Sequence, residues 1–349
     1  MFKIIHLFLF LILLTIFLTI LSGYIIYLLL IQFKLNVHKC SFPLCNREFY
    51  PWNSKCSIDC EESYKLLENL EHNQRINDIS KFKISNVQNL TAHRLFNNLD
   101  ISFFEIDATY LLKAEYHAFD GVKSIKNLLI QNLKRKDNIL RKNIFLPMEN
   151  STENLYIRKS KLTQKRFQYL ISEIEKLRYL KILDLEDNNF SKFNFNDLRY
   201  IKHLKVLSIV NNRLELIQLN DYNHVNCIEK LYLSNNKLNS IHDSIFENFS
   251  KLSEVYLDNN FISHFNQSLF CVTKIKTLSL SFNNLTEIII SNLNRLSNLL
   301  LSGNSLNGSK IFIHSNLTNL KHLELNMNKI EFLPKEILNN LTNLKYLDL

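Results

Sequence analysis

From Leu180 onward the apolar positions recur in one phrase, L-x-x-L-x-L-x-x-N-x-L. Its first positions are Leu180, Leu204, Ile228, Leu252, Ile275, Leu296, Leu320 and Leu344, spaced 24, 24, 24, 23, 21, 24 and 24 residues apart. The x-L-x-L core alternates with period two, which predicts a short strand whose leucines point inward. An Asn then turns the chain, its amide bonding backbone groups that the bend would otherwise leave unpaired. Asn188, Asn212, Asn236, Asn260, Asn283, Asn304 and Asn328 take this place, and Ser160 takes it one unit earlier. Upstream the pattern thins to its inward positions at Thr152-x-x-Leu155-x-Ile157, Ile125-x-x-Leu128-x-Ile130, Ile101-x-x-Phe104-x-Ile106 and Ile79-x-x-Phe82-x-Ile84. That makes about twelve units, the last one incomplete. Segments between the strands, such as HAFDGVKSI (117–125), SIFENFSKL (244–252) and EILNNLTNL (336–344), fit short helical or irregular turns on the outer side.

The last phrase, LKYLDL, stops at Leu349 before its Asn. A unit of such an array is stable only when a neighbour or cap covers its apolar edge. The layer Leu320, Leu323, Leu325 and Leu344 is therefore expected to face water, and the chain to be a fragment. The natural protein is expected to continue with an Asn at the third residue after Leu349 and an apolar residue at the fifth.

Ile4–Phe33 carries no formal charge. A membrane-spanning helix needs about 20 apolar residues, whereas a cleavable signal has an apolar region of about 7–15. An uncleaved signal-anchor over residues 1–39 is the better reading, with cleavage near Ser22-Gly23 the alternative. Directly behind it stand Cys40, Cys45, Cys56 and Cys60. Four clustered cysteines after an export signal favour two disulfides and place the bulk of the chain outside the cytosol, with zinc or free thiols as alternatives. Cys227 and Cys271 fall at the ends of units separated by a whole unit, roughly 10 Å apart at strand spacing, too far for a disulfide.

Composition mainly excludes. Four glycines in 349 residues are too scattered for a P-loop or dinucleotide-binding turn, and no G-x-S-x-G or H-E-x-x-H occurs. The expectation is no enzyme and no cofactor. The 46% apolar content suffices for a large core or an extended array.

The phrase and its period resemble the leucine-rich repeat signature. The chain is similar to the extracellular 24-residue class, including the ectodomains of Toll-like receptors, Slit and chaoptin, over roughly residues 40–349. The resemblance implies an α/β solenoid: a horseshoe with a parallel concave sheet and an irregular or short-helical convex side. Here one transmembrane helix precedes it. It also implies a cysteine-rich N-terminal cap at 40–78 before an array at 79–349. The C-x4-C-x10-C-x3-C spacing departs from the family's C-P-x-x-C-x-C, so the connectivity stays open.

The non-leucine strand positions should face the concave surface. There Tyr232 and Tyr256 lie beside Lys230, Glu254, Asp258 and, one unit on, Phe282. Tyrosines next to charges suit an interface core, although such pairs also stabilise a sheet across adjacent strands. The net charge of +9 concentrates in residues 134–166, which include Lys134, Arg135, Lys136, Arg141, Lys142, Arg158 and Lys159. This zone suits a sulfated glycan or acidic partner, but Arg158 and Lys159 align with Glu186 and Asp187 of the next unit, so ion pairs would absorb part of it. Acceptor sequons for glycosylation occur at Asn89, Asn150, Asn189, Asn248, Asn266, Asn284, Asn307, Asn316 and Asn340.

The function expected is an extracellular, membrane-anchored recognition module that binds protein or glycan on its concave face, with no nucleic-acid partner. The alternatives are a secreted structural or carrier subunit and the N-terminal part of a Toll-like signalling receptor. Ile4–Phe33 should remain in the mature protein. Mass spectrometry of the mature amino terminus checks this, and a soluble product starting between residues 22 and 40 contradicts it.

Overall fold

The computed structural model describes residues 46–50, 55–60, 78–85, 89–90, 99–109, 113–114, 119–133, 143–218, 227–241, 245–246, 249–265, 274–290, 293–313, 317–339 and 341–349. One 14-stranded sheet runs the length of the array, and its strands neighbour each other in chain order. It opens with the antiparallel pair Asn46–Tyr50 and Lys55–Cys60. Every later pairing in it is parallel, through Asp78–Ile84, Asp100–Asp107, Ser124–Gln131 and Asn154–Arg158. Three-residue strands follow at Ile182–Asp184, Val206–Ser208, Lys230–Tyr232, Glu254–Tyr256, Thr277–Ser279, Asn298–Leu300, His322–Glu324 and Tyr346–Asp348. All eight fall on the predicted x-L-x positions. The chain is thus a parallel-sheet solenoid whose coils each contribute one rung.

The inward leucines form a continuous core. Leu183, Leu207, Leu231, Val255, Leu278, Leu299 and Leu323 stand side by side in the sheet register and are fully buried. Burying one such side chain contributes about 1.5–3 kcal/mol, so stacking covers on both sides what a lone coil would expose. The expectation for the final layer is corrected here. Leu320, Leu323 and Leu325 are at most 1% exposed, because the strand Tyr346–Asp348 and the partly buried Leu344 and Leu347 lie over them.

The asparagine ladder does more than turn its own chain. The Asn236 amide nitrogen donates to Leu233 O in its own coil and to Ile209 O in the preceding one, both at 2.9 Å. Its carbonyl oxygen accepts from Leu214 N, again in the preceding coil, at 3.0 Å. Asn188, Asn212, Asn260, Asn283, Asn304 and Asn328 repeat the arrangement. Ser160, fully buried, keeps part of it by accepting from Leu133 N at 3.2 Å.

The residue before each ladder Asn has a positive φ. Asp187, Asn211, Asn235, Asn259, Phe282, Gly303 and Met327 all lie between 53° and 65°. Asp, Asn and Gly tolerate this left-handed turn, which is why Asn-Asn pairs recur at 211–212, 235–236 and 259–260. Phe282 and Met327 do not belong to that group, and each points an apolar side chain at solvent.

On the far side from the sheet the helix Gln164–Ile174 begins at Thr163, whose hydroxyl accepts from Arg166 N at 3.4 Å. No strong sequence phrase marks this helix. It buries Phe167, Leu170 and Ile174, and Phe167 starts an aromatic chain through Phe190, Phe193, Phe195, Phe249 and Phe246 with centroids 5.2–5.8 Å apart. Short parallel pairs, such as Lys192–Asn194 with Leu216–Gln218 and Ile288–Ile290 with Ile311–Ile313, replace helices elsewhere. Among the three predicted outer segments, EILNNLTNL overlaps the short helix Lys335–Asn339, the described part of SIFENFSKL forms turns, and that of HAFDGVKSI passes from a turn into the strand Ser124–Gln131.

The segment Ile4–Phe33 and the residues Cys40, Cys45 and Cys271 lie outside the described residues. Among those described, no helix is long and apolar enough to cross a membrane. Cys56 and Cys60 sit in the strand next to Asp78–Ile84, at the edge where the array begins.

Replacing Asn260 with Ala strands the buried Leu238 N–H and removes one of the two ladder amides that donate to each of the carbonyls of Leu233 and Leu257, which keep Asn236 and Asn283. A loss of about 1–3 kcal/mol is expected in denaturant unfolding, in line with leaving one buried donor unpaired. A loss below 0.5 kcal/mol, within the range of an ordinary surface change, would contradict this role.

Candidate functional surface

The open face of the sheet shows the non-leucine positions as rows. Parallel pairing sets Lys230 against Glu254 and Tyr232 against Tyr256. Lys230 Nζ lies 2.9 Å from Glu254 Oε1, and the two tyrosine rings stack with centroids 4.9 Å apart and planes 9° from parallel. Both phenols are half-buried. Burial first, then the nearby Glu254 carboxylate, holds them above the ordinary tyrosine range, while Lys230 pulls the other way. The hydrogen bond to Glu254 raises the Lys230 ammonium above the usual lysine range.

Asp258 joins this group from the next turn. It accepts from the Ser234 hydroxyl at 3.0 Å and from the Ser279 hydroxyl, which fixes the rim beside Tyr256. Phe282 sits further out, at the positive-φ turn rather than in the sheet. Its ring covers Gly303, where a β-carbon would lie 2.7 Å from Phe282 Cε1, so a larger residue there would push the ring aside. The sequence grouping therefore splits: Lys230, Glu254, Tyr232, Tyr256 and Asp258 form one patch, and Phe282 forms a separate apolar ridge.

Two further groups on this face were not singled out from the sequence. His322 stacks on Tyr346 with centroids 4.3 Å apart, and its Nε2 lies 2.7 Å from Glu324. Towards the other end Tyr156 lies 6.4 Å from Phe103, and the Arg158 guanidinium lies over the Tyr156 ring at 5.4 Å. The signal for the first group was the same row, since His322 and Tyr346 continue Lys230 and Glu254 in register. The second was hidden by the thinned upstream phrase.

Of the basic zone, Lys134, Arg135, Lys136, Arg141 and Lys142 lie outside the described residues. Arg158 lies 3.4 Å from Glu186, the residue aligned with it, and closer still, 2.5 Å, to Asp184, which the alignment did not indicate. Against the penalty of burial, these bonds hold its guanidinium above the usual range. Lys159 lines an open cleft with Lys161, Asp187 and Arg213 on the opposite side of the turn. Among the sequon asparagines, Asn150, Asn284 and Asn307 are exposed and Asn189 is half-buried. Asn307 also caps a short turn by accepting from Ser309 N at 3.1 Å. Asn89 opens the strand Asn89–Leu90, while Asn248, Asn266, Asn316 and Asn340 lie outside the described residues. Cys227 is a free thiol, and among the described residues no group of His, Cys, Asp or Glu could hold a metal ion.

Ionisation of the stacked pair has a definite sign. A phenol held above its usual pKa of about 10 contributes stability that is fully present below that pH and lost as pH rises through the folded value. Alkaline titration followed by phenolate absorbance should show Tyr232 and Tyr256 ionising after free tyrosine, and Glu254→Gln should lower both. An unchanged titration in that variant would contradict the coupling.

A family model, leucine rich repeat, matches residues 228–285, which contain this patch. No curated protein matches the chain. Among solved structures, an internalin (inlF) from Listeria monocytogenes superposes with a TM-score of 0.53 at 20% identity, covering 78% of this chain and 81% of that one. The structure of the TLR13–ssRNA13 complex gives a TM-score of 0.54 at 20% identity, covering 78% of this chain but 46% of that one. At such identity the likeness concerns the fold alone. The chain carries leucine-rich repeat sequence over residues 228–285, and its architecture is that of a leucine-rich repeat solenoid.

Proposed function

We propose that the chain is an extracellular recognition module, held at the membrane by Ile4–Phe33, that binds a protein partner on the concave face of its sheet. The observation that carries this reading is the stacked Tyr232–Tyr256 pair, flanked by the Lys230–Glu254 ion pair, in mid-array. Rigid half-buried rings offer large contact area at low entropy cost, and ion pairs beside them set orientation. The solenoid supplies the rest: a long sheet face whose variable positions repeat in rows, so partners are chosen by side chains that the core does not need.

Several parts of the reading rest on the sequence. The 24-residue spacing points to the extracellular class of these repeats. Cys40, Cys45, Cys56 and Cys60 would form a disulfide-bonded cap over residues 40–78, and the antiparallel strand pair Asn46–Tyr50 and Lys55–Cys60 at the first edge of the sheet supports such a cap. Export would expose the sequons to glycosylation, with Asn150, Asn284 and Asn307 the most accessible of those described. A glycan is the second ligand class for the same exported array.

The test is capture and then affinity. Cell-surface and secreted proteins captured by the full chain are identified, and binding of each is compared with the variant Tyr232→Ala/Tyr256→Ala. A loss of more than about 2 kcal/mol, the scale of an interface hot spot, is expected without loss of the folded array. Unchanged affinity in a folded double variant would move the site off this patch.

A further inference from the structure

Each unit carries two variable residues around its first apolar position, and the coils stack them into two rows along the edge where the strands begin. The row after that position is stitched through the backbone. Lys205 N donates to Lys181 O, Glu229 N to Lys205 O, Ser253 N to Glu229 O and Lys276 N to Ser253 O. Ser297, Lys321 and Lys345 continue it. The row before that position runs Tyr179, His203, Cys227, Lys251, Lys274, Arg295, Asn319 and Asn343.

Early in the array this flank is electrically balanced. Glu153 lies 3.9 Å from Lys126 and 3.0 Å from Lys181, and Glu229 lies 2.9 Å from Lys205. Beyond Glu229 the acids stop. From residue 251 to 345 neither row contains an Asp or Glu. Lys251, Lys274, Lys276, Arg295, Lys321 and Lys345 are all exposed, and among the described residues none of them pairs with a carboxylate. Where the chain could alternate signs it does so upstream, so the uniform sign here is a property of these coils and not of the fold. Coils stacked at about 4.8 Å set the six cations along a line of about 20 Å. At the Lys251 end the basic run stops at an open cavity of about 170 Å³ whose lining includes Lys202, His203 and Lys205 but also Glu229, which marks where the balanced part of the flank begins.

We propose that this flank binds a linear sulfated polysaccharide running across the coils from Lys251 towards Lys345. Fixed like charges at regular spacing attract a chain that carries permanent anions at regular spacing, and release of its counterions adds to the affinity. A single-stranded nucleic acid fits less well, because between residues 251 and 345 these two rows offer no aromatic ring for a base to stack on. A bilayer fits less well too, because the same rows hold no apolar side chain to insert. The site is separate from the tyrosine patch and does not depend on it.

The experiment uses the full chain in mild detergent, stripped of N-glycans, since sequons at Asn248, Asn316 and Asn340 shortly precede Lys251, Lys321 and Lys345. Affinity is measured for heparin oligosaccharides of defined length, for the same oligosaccharides after desulfation, for single- and double-stranded DNA and RNA, and for phosphatidylserine vesicles. The variant Lys274→Ser/Lys276→Ser/Lys321→Ser should weaken sulfated oligosaccharide binding at least about tenfold and flatten its salt dependence, with its circular dichroism unchanged. Tyr232→Ala/Tyr256→Ala should leave that binding unaltered, so failure here and failure of the concave-face reading are told apart. Absence of binding, equal binding by the lysine variant, equal binding after desulfation, or tighter binding of nucleic acid or vesicles would each overturn the proposal.

Discussion

A buried side-chain amide that bonds two coils at once is the constraint on which the rest of this molecule depends. Each ladder Asn bonds a carbonyl in its own coil, a carbonyl in the coil before it and an N–H in that earlier coil, and all but the half-buried Asn328 do so from buried positions. Leaving such groups unpaired costs about 1–3 kcal/mol apiece, so the register between coils is not negotiable. The leucines supply most of the driving force, but leucines alone tolerate slippage. The amides fix where each coil stops relative to its neighbour, and the rows on the sheet face and flank inherit that alignment.

Because the rows are fixed, neighbouring side chains in space are residues one repeat apart in sequence. Tyr232 meets Tyr256, Lys230 meets Glu254 and His322 meets Tyr346 for this reason alone. The same arithmetic produces the alternating charges around Glu153 and Glu229 and the unbroken basic run beyond them. A solenoid separates two tasks that a globular core entangles. Inward positions hold the stack together, and the positions between them are free to be chosen for recognition.

The regular half of the fold was legible because its period is carried by residues with one physical job each. Every strand of the long sheet from Ile182–Asp184 to Tyr346–Asp348 fell on a phrase that the leucines and asparagines had announced, while the outer-side pairs such as Lys192–Asn194 with Leu216–Gln218 did not. The helix Gln164–Ile174 was not announced, since its apolar residues Phe167, Leu170 and Ile174 pack against outer-side phenylalanines that obey no repeat. Phe282 was placed with the tyrosines from its position in the row count. It left that group because the residue before each ladder Asn takes a left-handed turn that carries it away from the sheet. The basic zone was read from local density along the chain. The exposed cations of the flank come only one or two to a repeat, so density within a single segment could not reveal them.

Residue-resolved hydrogen exchange on the folded array tests the ladder most directly. Leu214, Leu238, Ile262 and Leu285 donate their amide protons to a side-chain oxygen of the following coil rather than to a strand partner. These four amides should be protected to the same degree as the buried strand amides beside them, and should lose protection together as the coils separate. Exchange at the rate of exposed loop amides, while the strands stay protected, would show that the asparagines do not hold the coils in register.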